Sequence, residues 1–548
     1  MRSKTAPPVG LVNGPGDTPH TFTFVALDTG QTLRLGEFIT YRVTLDDQPR
    51  EVLARIVARR PLRRYPLSFM VDPTLSPETI SATVGYRGRV REPLELTAET
   101  IGYYDPALAD FINPRLPPAS GQPVLAVNDE QLSQLLNHQP PEAIGAAQVG
   151  WLLSRSGQRV PVVLDVATLA STHLAIIAST GAGKSYLASV LVEELLRPNN
   201  RAAVLIVDPH GEYDTLAELP HQPALTTDTY RPRVMIHRPG DIKLRTGSLS
   251  LADLRYLLPN LSERMEYVLG LAFRRARRQS YRRWGRTGDR WTLDDLRQAV
   301  RELAGSNQDN GAEADPEALG GSYRETANAL LWRLNSALGH TTLFDDHNQV
   351  EVRQLVQPGQ ATVLQLNEVD QREQQVLVGT LLRRLFQARV QTAKGQLADT
   401  SSQALPWPVF ILIEEAHHFA PANGEAISAG ILKQILAEGR KFGVGVGLVS
   451  QRPGKLDADA LSQCNTQCLL RIVNPLDQQK VRESVESVGQ ATIAELPALT
   501  KGQAIIAGAA VTTPLLCQVR TRYTPHGAPN ISAPQVWCDY FAAERAGT

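Results

Sequence analysis

The sequence predicts an α/β protein: a mostly parallel sheet with helices on both faces, preceded by a small β-rich domain and interrupted by a block of helices. Three observations carry this. From about residue 160, short apolar runs alternate with amphipathic stretches. The runs are HLAIIA (173–178), AVLIVD (203–208), RVMIH (233–237), ATVLQL (361–366), VFILIE (409–414), GVGVGLVSQ (443–451), QCLLRI (467–472) and QAIIAG (503–508). Buried parallel strands read as continuous runs because both of their faces are covered. Residues 21–70 read differently, as half-buried strands in HTFTFVAL, LRLGEFITYRV and EVLARIVARR, broken by the turns DTGQ and DDQP. That is the pattern of a small barrel or sandwich. Residues 250–345 hold helical patterns alone.

The helices of that block open at capping-box spacings: Ser250 with Asp253, Thr292 with Asp295, Ser322 with Glu325. Between two of them, SNQDNGAEADPEALGG (306–321) reads as a mobile loop. Residues 102–126 are rich in Pro and read as an extended strap or a domain boundary rather than a core element. The organisation expected is a β-barrel over 1–105, a Pro-rich strap or linker over 106–150, and an α/β core over 151–250 and 346–510. A helical insertion covers 251–345, and a C-terminal tail that opens on a β-like run covers 511–548.

Composition narrows the classes. A chain of 548 residues, 42% hydrophobic and 20% charged, is ordinary globular material. It holds 56 basic and 56 acidic residues, so global charge points to neither nucleic acid nor membrane. Nine of the basic residues are Lys and 47 are Arg, which favours bidentate phosphate contacts wherever cations face a ligand. No apolar run nears the ~18 residues a membrane span needs, and the N-terminus lacks a secretory signal's apolar stretch. A cytoplasmic location is expected. Cys464, Cys468, Cys517 and Cys538 form no disulfide framework, and buried thiols are expected rather than a zinc site.

The strongest local signal is ASTGAGKS (178–185), set between an apolar run and the helical pattern YLASVLVEELL. Strand, Gly-rich loop and helix together make a phosphate cradle, because loop N–H groups and the helix N-terminus meet the negative charge. Thr180, Gly181, Ala182, Gly183, Lys184, Ser185 and Tyr186 are the candidate nucleotide contacts. Lys184 reaches the β- and γ-phosphates, and the Ser185 hydroxyl ligates Mg²⁺. The usual loop opens with Gly where this one has Ala178, which fits if its φ is negative.

A second element, VFILIEEAHHF (409–419), ends an apolar strand in two carboxylates. Glu414 is assigned to the metal shell and Glu415 to the general base that takes a proton from the attacking water. His417 and His418 are read as structural or coupling residues. Arg440, in EGRKFG, sits at a helix end. It is either a partner of the helix dipole or an arginine finger acting on a neighbouring subunit. Gln451 ends the following strand, as a γ-phosphate sensor or as an amide bonded to backbone. Asp208, in VDPHGEY, is either catalytic or metal-organising, or starts a turn before Pro209.

Together, ASTGAGKS, VDPHGEY, ILIEEAHHFAP, EGRKFG and SQRP resemble the HerA hexameric ATPases of the FtsK–HerA class, over most of the chain. The resemblance implies a RecA-like P-loop ATPase core behind an N-terminal barrel of the kind shared with rotary ATP synthases. It also implies a homo-hexamer with ATP and Mg²⁺ at subunit interfaces. Translocation on double-stranded DNA is implied too, often beside a NurA-type nuclease bound on the barrel side. Matched residue by residue, it supports Lys184, Ser185, Asp208, Glu415, Arg440 and Gln451.

DNA is expected on short loops, residues 421–430 and RPGKLDAD with Lys455, without base-edge readout. The Arg-rich, aromatic segment 274–290 is either a nucleic-acid surface or a solvated face. The principal reading is an ATP-driven duplex translocase. The alternative is an ATP-gated ring scaffold for a defence effector.

Overall fold

A computed structural model describes residues 8–538 apart from 19, 28–32, 46, 63–65, 85–92, 109, 156, 286–289, 306–322, 340, 485–488 and 526–531. The expected mobile loop 306–321 and the Ser322 cap lie outside the described residues. The chain forms two compact units. The first is residues 1–187, 386–396 and 408–520, and the second is residues 188–385, 397–407 and 521–548.

The first unit opens with seven strands: β1 (Pro8–Pro15), β2 (Thr21–Leu27), β3 (Phe38–Leu45), β4 (Gln48–Pro61), β5 (Pro93–Asp105), β6 (Asp110–Ile112) and β7 (Pro123–Ala126). Their order is β2-β1-β7-β3-β4-β5-β6, and β2 also pairs with β5, which closes a six-stranded barrel. Closure leaves no free edge among those six strands. Every second residue of β2 is buried, as the alternating TFTFVAL pattern dictates. Phe22, Phe24, Tyr41, Ile56 and Leu96 fill the barrel.

β7 corrects the strap expected at 106–150. Its residues pair with β1 and β3, so part of the Pro-rich stretch is a barrel strand. The chain then forms a helix, Asp129–Leu136, capped by the Asn128 side chain. Buried Arg55 bolts the barrel down: its guanidinium donates to Glu99 at 3.1 Å, the Thr492 hydroxyl at 3.0 Å and the Pro514 carbonyl at 3.0 Å. Three more strands of this unit follow, β8 (Ala146–Leu152), β9 (Pro161–Asp165) and β10 (Leu174–Ile177).

The second unit contains β11 (Ala203–Asp208), β12 (Arg233–His237), a short pair β13 (Leu244–Arg245) and β14 (Phe344–Asp345), and β15 (Gln360–Gln365). β12, β15 and β11 lie side by side and parallel. The insertion is helical as expected: Leu251–Leu257, Glu263–Trp284, Leu293–Gly305 and Arg324–Leu338. Ser250 and Asp253 form a capping box, and so do Thr292 and Asp295. Buried Trp291 packs edge-on against Phe273. Among the described residues no helix is long and apolar enough to cross a membrane.

The first unit's sheet is completed by β16 (Val409–Ile413), β17 (Val444–Ser450), β18 (Thr466–Leu469), β19 (Gln503–Gly508) and β20 (Leu515–Val519). Its order is β16-β17-β10-β18-β19-β20-β8-β9. β16, β17, β10 and β18 run parallel; β18 to β9 pair antiparallel. β20 thus stands inside the sheet, where a tail was expected from residue 511. The run PLLCQV signalled the strand but not its neighbours. β10, β16 and β17 are buried along their whole length, which is why they read as unbroken apolar runs. Cys464, Cys468 and Cys517 are buried thiols.

Candidate active site

β10 delivers the chain into residues 178–183, and the helix Lys184–Leu195 carries it away. Gly181 has φ 77° and Gly183 φ 104°, which side-chain-bearing residues rarely adopt. A Cβ on Gly181 would meet nothing within 4 Å, so the loop demands glycine for backbone conformation and leaves open space beside it. Ala178 is buried and is not among the positive-φ residues. Its N–H donates to the Ser450 carbonyl at 3.2 Å, so the departure at the loop's opening is accommodated.

β16 ends where the two carboxylates begin, and both are fully buried. Glu415 adopts φ 48°, ψ 47°, a left-handed conformation that costs a non-Gly residue about 1–3 kcal/mol. Lys184 answers them. Its Nζ donates to Glu414 and lies 3.2 Å from Glu415 Oε1. The Ser185 hydroxyl donates to Glu414 Oε1 at 3.3 Å. The four side chains therefore meet at one point, although Lys184 and Glu414 stand 230 residues apart. Glu415 Oε2 accepts no hydrogen bond despite its burial. A carboxylate oxygen left free in this way is one that can orient a water and take its proton.

The chemistry fits nucleotide and Mg²⁺. Ser185 Oγ and Glu414 are hard oxygen donors, suited to a cation that completes its shell with phosphate oxygens and water. The open space over Gly181 and the helix N-terminus suit the phosphates.

β17 lies between β16 and β10, so its C-terminal end reaches the loop. Gln451 Oε1 accepts from the Thr180 hydroxyl at 2.7 Å. His417 Nδ1 is 3.2 Å from Ser450 Oγ and 3.3 Å from Glu415 Oε2. Burial, then the nearby His418, Arg452, Lys455 and Lys184, push the His417 imidazole down to about 4, so it is neutral at pH 7. Ser450 Oγ also accepts the N–H of Arg452 at 3.1 Å. The loops expected to touch DNA are joined: Ala422 N–H donates to the Lys455 carbonyl at 2.8 Å and Asp457 N–H to the Ala420 carbonyl at 2.9 Å. Arg452 and Lys455 are exposed on them.

Arg440 sits apart from this cluster. The helix Ala429–Glu438 buries Leu432, Ile435 and Leu436, and a single 3-10 turn, Gly439–Phe442, presents Arg440 to solvent. Among the described residues it has no ion-pair partner.

Asp208, expected either as catalytic or metal-organising or as the start of a turn, makes its hydrogen bonds within its own turn. It belongs to the second unit and is fully buried. Oδ1 accepts the N–H groups of His210 at 3.3 Å, Gly211 at 2.9 Å and Glu212 at 3.1 Å; Oδ2 accepts Tyr213 N–H at 3.2 Å. Burial raises its carboxyl above the usual range, against four N–H groups that favour the anion. These four bonds organise the turn.

Two residues escaped the sequence reading. Ser450 lies inside an apolar run, and only the strand order shows that its hydroxyl meets His417. His173, just before β10, carried no local signal. It is buried, with φ 61° and ψ 161°. Its Nε2 bonds the Leu436 carbonyl at 2.9 Å and its Nδ1 accepts Val446 N–H at 3.1 Å.

Comparison with known proteins agrees with this geometry. The family model described as "Helicase HerA, central domain" matches residues 147–385. The "DNA double-strand break repair helicase HerA" of Pyrococcus furiosus is 30% identical over 434 residues, covering 75% of each chain. The protein of the same name from Saccharolobus solfataricus is 27% identical over 75% of each. Among solved structures, VirB4 of Thermoanaerobacter pseudethanolicus is 15% identical with TM-score 0.48, covering 69% of this chain and 97% of its own. The phosphate loop, the paired carboxylates and a 30% identical relative over three quarters of both chains agree: this chain belongs to the HerA family of helicases, which are P-loop ATPases.

Proposed function

We propose that the chain is the subunit of a hexameric ring that hydrolyses ATP to move along double-stranded DNA without sequence preference. The observation that carries this is the meeting of Lys184, Ser185, Glu414 and Glu415 at the phosphate loop. The loop N–H groups from Thr180 to Tyr186 and the Lys184 ammonium bind the phosphates. Ser185 and Glu414 would hold Mg²⁺, which neutralises charge developing on the transferred phosphoryl group. Glu415 orients the attacking water and accepts its proton at Oε2. Arg440 of one subunit reaches the nucleotide of the next. Gln451 senses the γ-phosphate, and the joined loops carrying Arg452 and Lys455 transmit that state to the duplex.

Relatives are named for double-strand break repair. On that ground we assign this chain to DNA end processing, with a NurA-type nuclease docked on the barrel side. The decisive experiment is ATP hydrolysis with and without linear duplex, with Glu415→Gln as control. Stimulation by duplex that vanishes in the variant is expected. Hydrolysis indifferent to duplex, with the nuclease present or absent, would turn the assignment toward an ATP-gated scaffold.

A further inference from the structure

The insertion helix Glu263–Trp284 buries Val268, Leu269, Ala272, Phe273 and Ala276 along one side. Its opposite side is not an ordinary solvated face. Tyr267, Arg274, Arg278 and Tyr281 follow one another at seven, four and three residues, so they share one stripe at 3.6 residues per turn. All four are exposed, and Arg282 flanks them. Tyr267 is 54% exposed, Tyr281 57% and Trp284, at the helix end, 57%.

Charge distinguishes this stripe from the helix's flank. Arg275 pairs with Glu302 at 3.1 Å and Arg283 with Asp295 at 3.6 Å, which ties that flank to the next helix. Arg274 and Arg282 pair with no carboxylate among the described residues. Arg290 covers the Trp284 ring at 5.7 Å, but Tyr267 and Tyr281 stand in water with no ring or cation contact among the described residues, so they lose favourable burial.

We propose that this stripe binds single-stranded nucleic acid, with Arg274 and Arg282 on phosphates and Tyr281 and Tyr267 stacked on bases. A duplex offers its phosphates to arginines but hides its base faces. Only an unpaired strand gives the tyrosines a stacking partner. The two tyrosines stand about 21 Å apart along the axis, fourteen residues at ~1.5 Å each. That spacing suits a strand laid along the helix. The stripe belongs to the insertion and does not depend on the motor assignment.

The test uses the full chain and fluorescein-labelled probes of about 20 nucleotides, oligo(dT) and a blunt duplex, in anisotropy titrations across salt. Tyr281→Ala is expected to weaken oligo(dT) binding about fivefold or more, with Tyr281→Trp restoring it. Arg274→Ser with Arg282→Ser is expected to reduce the salt slope for oligo(dT) by about 1.4, at ~0.7 per phosphate lost. Duplex binding and duplex-stimulated hydrolysis should stay near wild type in both variants. Unchanged oligo(dT) affinity overturns the proposal, and would leave the stripe to a protein partner or a second copy. Equal weakening of both probes also overturns it. Wild-type hydrolysis that ignores duplex would count against the motor alone.

Discussion

The Thr180 hydroxyl donates to Gln451 Oε1 at 2.7 Å, tying the middle of the phosphate loop to the end of β17. The bond exists because β17 neighbours β10. Strand order therefore places a side-chain amide where nucleotide would press on the loop. Beyond Gln451 the backbone runs directly into Arg452, whose N–H is held by Ser450 Oγ. Hydrogen bonds thus connect the phosphate loop to the surface segment that carries Lys455, the link our proposed sensing role for Gln451 uses.

Gln451→Ala separates sensing from binding. A solvent-facing neutral hydrogen bond contributes about 0.5–1.5 kcal/mol, so nucleotide affinity should change by no more than about tenfold. Hydrolysis should fall further, and its response to duplex should be lost. Fluorescent-nucleotide binding beside steady-state hydrolysis checks this. An affinity loss that accounts for the whole drop in hydrolysis would make Gln451 a binding residue only.

Lys184 holds two buried carboxylates in place. Removing a partner from a buried ion pair costs about 3–5 kcal/mol, because charge is left uncompensated. Lys184→Ala should therefore lower the unfolding midpoint as well as abolish hydrolysis. Adding Glu414→Gln should recover part of the lost stability and none of the activity. Glu415→Gln should leave nucleotide binding intact and slow hydrolysis by about 10²–10⁴-fold. A Lys184→Ala chain as stable as wild type would show that the carboxylates are paired or neutralised otherwise.

Sequence and structure agree where the signal is local. Gly181 and Gly183 have to be glycine at their φ values, and Glu414 and Glu415 follow a buried strand that any hydropathy reading finds. The eight apolar runs map onto strands, and those such as β10, β11, β15, β16 and β17 show no alternation because they are buried along their whole length, whereas RVMIH (β12) is partly exposed. What stayed hidden depends on neighbours in the sheet. Nothing near Ser450 marks it as a partner of His417, and nothing in residues 511–548 places β20 between β19 and β8. Asp208 is hidden for a different reason. Its Asp-Pro start already marked a turn, but sequence alone cannot show that four N–H groups of that turn bond the carboxylate.

Arg440 is exposed and unpaired among the described residues, so Arg440→Ala should shift stability by no more than about 0.5 kcal/mol. If it works across an interface, hydrolysis should still collapse by about 10³-fold or more. Mixing distinguishes the geometries. Arg440→Ala and Glu415→Gln subunits are each inactive alone. Assembled together, they regenerate interfaces that combine an intact Glu415 with a neighbour's intact Arg440. Recovery of hydrolysis on mixing is expected. Absence of recovery in demonstrably mixed rings would place Arg440's action within its own subunit.

His173 joins β10 to the segment carrying Arg440, bonding the Leu436 carbonyl in the helix before that turn and the Val446 N–H after it. Burial, opposed only by the Leu436 bond, pushes its imidazole from 6.5 down to about 4. The unfolded chain therefore takes up this proton first as pH falls. The contribution is complete above about pH 6.5, declines toward pH 4 and levels off below. It amounts to about 3 kcal/mol, from ~1.4 kcal/mol per pKa unit. His173→Gln keeps an amide donor and acceptor and removes the titration. The variant should lose less stability than wild type between about pH 7 and pH 5, read by chemical denaturation. His173→Ala, which removes both ring bonds, adds a second readout: without them the strained backbone at φ 61° and the neighbouring Arg440 turn should loosen, and hydrolysis should fall at pH 7 as well. Equal pH slopes in both proteins would assign the acid sensitivity to other groups.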